Sequence, residues 1–271
     1  MSDAQTIDDS VFADDFSAAI DAAEQFTQAA SDAPQAADVA DASDPSEASD
    51  PAPSEPAVDP AVKLSRTIAA NLAEYHQRRR TLFEWMHPAR IASFAYAACL
   101  PGLDARRGAQ LAEAFLDSVG FTPAPLPAFG DASVALMRLP LADCLKVLRM
   151  RVLVEHVYEL RLWIDRPRRV LLDEWLGPHL TRMLLAQRGG LTAGQPLRGE
   201  PSADSLALQG FRLFERDCRW SADHPMMLLQ FALPDETAPA RLPDTPGHAK
   251  VSKTSLTLVS QLADFFPTRS W

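Results

Sequence analysis

The first 62 residues contain no Lys, no Arg, no Gly and no Trp, yet hold 15 Asp and Glu. Between Ser31 and Pro60 there is no aromatic residue either. A stretch this charged and this poor in large apolar groups cannot offset the entropy of ordering. Residues 1–62 therefore read as a disordered acidic tail. Cysteine is scarce: Cys99, Cys144 and Cys218 are the full set in 271 residues. An odd count at wide spacing argues against a disulfide framework, and no C-x-x-C pair is present to hold zinc. Three reduced, buried thiols are expected. Long hydrophobic runs are missing as well. Ile91–Leu103 is the longest uncharged apolar stretch near the core, at thirteen residues, and a bilayer span needs roughly 20. The N-terminus has no basic start and no apolar block, so no signal peptide is expected and the cytoplasm is the expected compartment.

The common catalytic signatures are absent too. There is no G-x-x-x-x-G-K-[ST], no G-x-G-x-x-G, no G-x-S-x-G and no H-E-x-x-H. The six histidines are scattered. His156 and Glu159, one helical turn apart, are the nearest thing to a ligand pair. Asp173 and Glu174 are adjacent, so on a helix they point about 100° apart and do not converge. They read as acids at a solvated helix start. No catalytic, cofactor-binding or metal-ligating residue is assigned, and no cofactor is expected.

Charge is what the chain has in abundance, unevenly placed. The formal net charge of −10 divides into −15 over residues 1–62 and +5 over residues 63–271. Arg supplies 22 of the 26 basic residues. Arg78–Arg80 and the group Arg161, Arg166, Arg168 and Arg169 could contact phosphates. Acids close by in sequence favour intramolecular pairing instead. Within the acidic tail, Phe12, Phe16 and Ile20 recur at four-residue spacing. They mark a short helix within residues 10–30, a candidate partner-docking element that folds on binding.

The remaining residues, 63–271, read as one helical domain. Val62–Trp85 carries Leu64, Ile68, Leu72 and Tyr75 on one side. An Ala-rich, closely packed helix is expected over Pro88–Leu100. Asp104 can cap the next helix, with Leu111, Phe115 and Val119 aligned and Gly120 ending it. Pro123, Pro125 and Pro127 predict an extended loop over Phe121–Gly130. One short helix follows at Asp131–Leu139. A long, central, buried helix then runs from Pro140 to about Ile164, carrying Tyr158 and Trp163 near its end. Two short helices split by Gly177-Pro178, a helix over Ala203–Trp220 and a short apolar segment at Pro225–Leu233 come next. The last helix, Thr254–Phe266, is capped by Thr254 or Ser255. Loops are expected over 189–201 and 234–253. No internal repeat and little period-2 alternation are present. The fold class is all-α or strongly helix-dominated, a single globular domain after a disordered acidic N-terminal tail.

Two stretches carry a family resemblance. One is Arg80-Thr81-Leu82-Phe83-Glu84-Trp85-Met86-His87-Pro88-Ala89-Arg90, continuing to Leu100-Pro101-Gly102-Leu103. The other is Leu139-Pro140-Leu141-Ala142-Asp143-Cys144-Leu145-Lys146-Val147-Leu148-Arg149, leading into Leu160-Arg161-Leu162-Trp163-Ile164-Asp165-Arg166. Together they resemble the Hrp branch of the SctK family of type III secretion proteins, over approximately residues 75–190. The resemblance implies a non-enzymatic cytoplasmic adaptor of the injectisome. It would join the sorting platform, through a pod protein of the SctQ class, to the cytosolic domain of the inner-membrane ring protein. It would meet the membrane through protein contacts only and bind no nucleic acid. Two other readings stand beside it: an enzyme with a noncanonical pocket at His156, and a nucleic-acid-binding regulator using the basic folded part.

Overall fold

The computed structural model describes residues 59–187, 201–235 and 252–269. Residues 1–58 of the acidic tail with its stripe of Phe12, Phe16 and Ile20, most of the loops expected over 189–201 and 234–253, and Trp271 lie outside the described residues. Among the described residues every regular element is a helix and there is no strand.

Helix α1 spans Pro60–Arg80, two residues earlier than its apolar periodicity suggests. Asp59 sets the start, since its carboxylate accepts the Ala61 N–H at 2.9 Å and Pro60 occupies the first turn. Tyr75 is buried, but Leu64 near the start is exposed. The chain breaks at Thr81, and α2 (Leu82–Trp85) follows as a separate turn. His87 caps α3 (Pro88–Ser93), its Nδ1 accepting the Ala89 N–H at 3.2 Å.

The expected Ala-rich helix is not continuous. Phe94 takes extended backbone (ψ 127°), and a 3-10 helix at Ala97–Gly102 replaces the rest. The break places the Phe94 ring against Phe83 and Phe115, at 5.2 and 5.5 Å between centroids. Nor is the segment closely packed, because neither helix holds a buried residue. Alanine favours a helix but offers little surface to bury, so the aromatic contact decides the local geometry.

Helix α4 (Ala105–Ser118) begins as read: the Asp104 carboxylate accepts the Arg107 N–H at 2.8 Å. It ends in a Schellman turn, with Gly120 at φ 68°, Gly120 N–H on Asp117 O and Phe121 N–H on Leu116 O. The buried face is Ala112 and Leu116, however, and Val119 of the expected stripe is exposed. The proline-rich stretch is only partly extended. Leu126–Gly130 closes into a 3-10 helix that buries Phe129 against Tyr75, 5.2 Å between centroids. Asn71 donates to Phe129 O at 3.0 Å and fixes that turn. A second 3-10 helix, Ala132–Arg138, is capped by Asp131 through the Ser133 N–H at 2.7 Å.

The centre is α5 (Leu141–Leu153), which buries Cys144, Val147, Leu148, Met150, Val152 and Leu153. It is shorter than expected. A 3-10 turn at Val154–His156 interrupts it before α6 (Val157–Leu162). Tyr158 is exposed, contrary to its place in a buried helix, because it lies on the outer side of α6; Trp163 is half-buried against Trp175. Helices α7 (Arg166–Leu176) and α8 (Pro178–Ala186) are divided at Gly177, whose φ of 84° suits glycine.

Helix α9 (Ala203–Cys218) makes the most extensive helix contact of the fold, against α5. Gly210 permits it: a Cβ there would lie 1.9 Å from Leu148 O. A 3-10 helix at Pro225–Ala232 closes the core near Phe115. Two short helices, α10 (Thr254–Ser260) and α11 (Leu262–Phe265), replace the single last helix. Ser255 is not its cap. It is buried, and Ser252 Oγ instead accepts the Thr254 N–H at 3.2 Å.

Candidate functional site

The basic residues form two chemically different groups. Arg78, Arg79 and Arg151 belong to the interior. Arg78 donates to Met137 O at 2.7 Å, to Leu139 O, and to Glu74 at 3.1 Å. Arg79 pairs with Glu113. Arg151 is fully buried, and its Nη2 meets Asp217 Oδ2 at 2.6 Å. Its Nε donates to Ser255 Oγ at 2.8 Å, and its Nη1 to Glu155 at 2.6 Å. Burial pushes the Asp217 carboxyl up, but the Ser255 hydroxyl with Arg151 and Arg216 outweighs it and holds the group below its ordinary value. Three helices, α5, α9 and α10, are thereby tied at one point. Neither Arg151 nor Asp217 stands out in the sequence, since α5 also carries Asp143, Lys146 and Arg149.

The second group, Arg161 to Arg169, is at the surface. Arg161 donates to Leu185 O at 3.0 Å and to Gln187 O. Arg169 donates to Trp163 O at 2.5 Å. The Arg168 guanidinium lies 5.6 Å from the centre of the Trp163 ring. Pairing within the molecule was expected for both groups. For this one the acceptors are largely backbone carbonyls and a ring, not carboxylates.

Among the described residues two depressions stand out. The larger, about 900 Å³, lies between the end of α1, α3, the 3-10 helix at Ala97–Gly102 and α4. Phe83, Ile91, Leu100 and Leu103 line it, with Gln77, Glu84 and Gln110 among its polar groups. The smaller, about 540 Å³, is lined by Phe94, Phe115, Phe121 and Phe231. A chain of rings runs between them: Phe83 on Phe94, Phe94 on Phe115, Phe115 on Phe231 and Phe231 on Phe121, each pair 5.2–5.8 Å apart. Arg90 locks one end by donating to Leu233 O at 2.8 Å beside Asp235. Sequence periodicity missed this ladder because its members come from four separate segments.

The candidate chemistry residues do not converge. His156 Nδ1 lies 3.9 Å from Glu159, and neither residue lines either depression. Asp173 and Glu174 are exposed near the end of α7, not at its start. His224 stacks on Trp220, 5.4 Å between centroids, and its Nδ1 accepts the Met226 N–H at 3.3 Å. Burial lowers its pKa, despite the opposing pull of Asp131 and Asp223. Among the described residues no three His, Cys, Asp or Glu side chains are grouped to hold a metal ion. Among the same residues no helix is long and apolar enough to cross a membrane. The three thiols are free but not alike: Cys144 is buried, Cys218 half-buried and Cys99 exposed, which corrects the expectation that all three are buried.

A family model described as bacterial type III secretion protein (HrpB4) covers residues 63–268. No curated protein and no solved structure matches.

Proposed function

The chain belongs to the HrpB4 family of bacterial type III secretion proteins, and from that premise we propose that it is a structural adaptor of the secretion apparatus. In this reading it works in the cytoplasm at the face of the inner membrane. It links the sorting platform to the inner-membrane ring, with the SctQ-class pod protein and the cytosolic domain of the ring protein as its partners. The carrying observation is the family match, which spans nearly the whole helical body. The surface supports it. The apolar depressions around Phe83, Ile91 and Leu100 and around Phe94 and Phe121 suit partner helices better than a reactive centre. Phe12, Phe16 and Ile20 are a further docking element in this proposal, on their sequence spacing. In this proposal the role is non-enzymatic.

The test is a deletion strain complemented with the full chain. Effector secretion falls on deletion and returns with the wild-type chain. The pod protein and the ring domain co-purify with it. Ile91→Arg with Leu100→Arg, both placed to fill the larger depression, reduces one of those captures. Normal secretion from the deletion strain refutes the adaptor role.

A further inference from the structure

We propose that the corner between α6 and α7 is a peripheral membrane-binding element. Leu162 and Ile164 would enter the interface of an anionic bilayer while Arg161, Arg166, Arg168 and Arg169 meet its phosphates. Ile164 is 87% exposed and Leu162 63%, with Tyr158 and Val170 also exposed beside them. Exposed apolar residues rimmed by charged ones are the kind of surface that meets a protein or a membrane.

The charge around that tip identifies the surface. Residues 161–170 hold four Arg against one acid, Asp165. Arg161 and Arg169 are held by backbone carbonyls, and Arg168 by the Trp163 ring, with Asp165 3.8 Å away. Carbonyls and a ring orient a guanidinium without cancelling its charge. Arg79 and Arg151, by contrast, are neutralised by carboxylates. The corner therefore presents pre-oriented positive groups around an apolar tip. The other acids nearby are Glu155 in the 3-10 turn before α6, Glu159 on α6, and Asp173 and Glu174 two turns along α7. The acidity of the rest of the chain is screened beyond about 8–10 Å in physiological salt.

A bilayer fits this geometry better than a protein helix. Helix docking uses a groove, whereas these residues line neither depression and project from a turn. Apolar residues at a tip, basic residues around them and aromatic residues at the rim are the interfacial pattern. The exposed Tyr158 supplies that rim. The proposal deepens the inner-membrane location given above, rests on that reading for its biological membrane, and adds a direct lipid contact to it.

The experiment is co-sedimentation of the full chain with vesicles. One set contains phosphatidylglycerol and phosphatidylethanolamine, the other phosphatidylcholine alone. The chain sediments with the anionic set, less so as salt rises, and not with the neutral set. Arg166→Glu with Arg168→Glu lowers the partition coefficient about tenfold or more. Leu162→Ser with Ile164→Ser lowers it at least about fivefold. Both pairs are exposed, so unchanged circular dichroism and melting temperature are the control for folding. Three results overturn the proposal: no binding to anionic vesicles at low salt, equal binding to neutral ones, or binding that survives both double variants. If the variants instead abolish capture of the pod or ring protein without any vesicle binding, the corner is a protein contact and the lipid role is refuted. Normal secretion from the deletion strain bears on the adaptor role and leaves the vesicle result standing.

Discussion

Substituting one glycine should separate backbone crowding from helix propensity. In Gly210→Ala the new Cβ would sit 1.9 Å from Leu148 O and 2.5 Å from Leu148 C, both main-chain atoms of α5. A carbon-to-carbonyl-oxygen contact settles near roughly 3.3 Å, so α5 and α9 must part by more than an ångström along the principal contact of the core. Overpacking of this kind typically costs about 1–3 kcal/mol, and the loosened Phe211, Phe214, Leu148 and Val152 contacts add to it. Ala gains about 1 kcal/mol over Gly in helix propensity, which offsets part of the loss. The net expectation is a destabilisation of about 2–3 kcal/mol. At 2–4 °C per kcal/mol for a domain of this size, Tm falls by roughly 4–12 °C. Gly108→Ala is the control. Gly108 is in α4, and nothing lies within 4 Å of its Cβ position. That variant should gain about 0.5–1 kcal/mol and melt higher. The assay is urea and thermal unfolding of both variants, followed by circular dichroism. A Gly210→Ala chain as stable as wild type would refute the close α5–α9 crossing.

Other outcomes follow from the same contacts. Asp217→Asn leaves Arg151 buried beside a neutral partner and should cost about 3–5 kcal/mol in urea unfolding. The folded pKa of Asp217 is lowered, so its contribution is complete above the unfolded value near pH 4 and fades as pH falls through the folded value. Stability measured down the acid limb should therefore decline less steeply in the variant than in wild type; parallel slopes would contradict the shift. Thiol titration of the native chain at neutral pH should find one rapidly reacting cysteine, Cys99, because burial pushes Cys144 up to about 11 and Cys218 up to about 12. Three fast thiols would contradict that burial. Tyr158→Ala should change stability by no more than about 0.5 kcal/mol, and Phe214→Ala should cost about 3–5 kcal/mol. Equal effects would refute the assignment of Tyr158 to the surface.

The elements that the sequence announces are those set by neighbours within four residues. Asp104 caps α4 through the Arg107 N–H, Gly120 ends it at positive φ, and Gly177 divides α7 from α8. All three are local chemistry. Misread positions depend on distant partners. The helix expected over Pro88–Leu100 breaks because Phe94 meets Phe83 and Phe115, the latter on α4. Ser255 looks like a cap but is claimed by Asp217, 38 residues away. In α4 the buried face is one position round from the expected stripe, because Phe115 is drawn into the ring ladder beside Phe231. The surface arginines show the same limit: nearby acids predict pairing, but nothing local shows that Arg161 reaches the carbonyls of Leu185 and Gln187.

The two stretches that carry the family resemblance can be sorted by the work their side chains do. In the first, Trp85 Nε1 donates to Arg78 O, His87 N–H to Phe231 O and Arg90 to Leu233 O, at 2.9, 2.8 and 2.8 Å. In the second, Leu139 O receives Arg78, Cys144 and Leu148 fill the core, and Arg149 donates to Ala203 O and Trp175 O, each at 3.0 Å. These contacts clamp α1, α5, α7 and α9 into one frame. Trp163 and Arg161, further along, brace α6 against its neighbours. Leu162 and Ile164 do none of this. Removing their side chains would cost the frame almost nothing, and leaving them exposed is unfavourable in water by the apolar area each presents. The proposed bilayer contact gives these two exposed residues a role in a run otherwise given over to framework contacts. The oriented arginines on either side select a surface of negative charge.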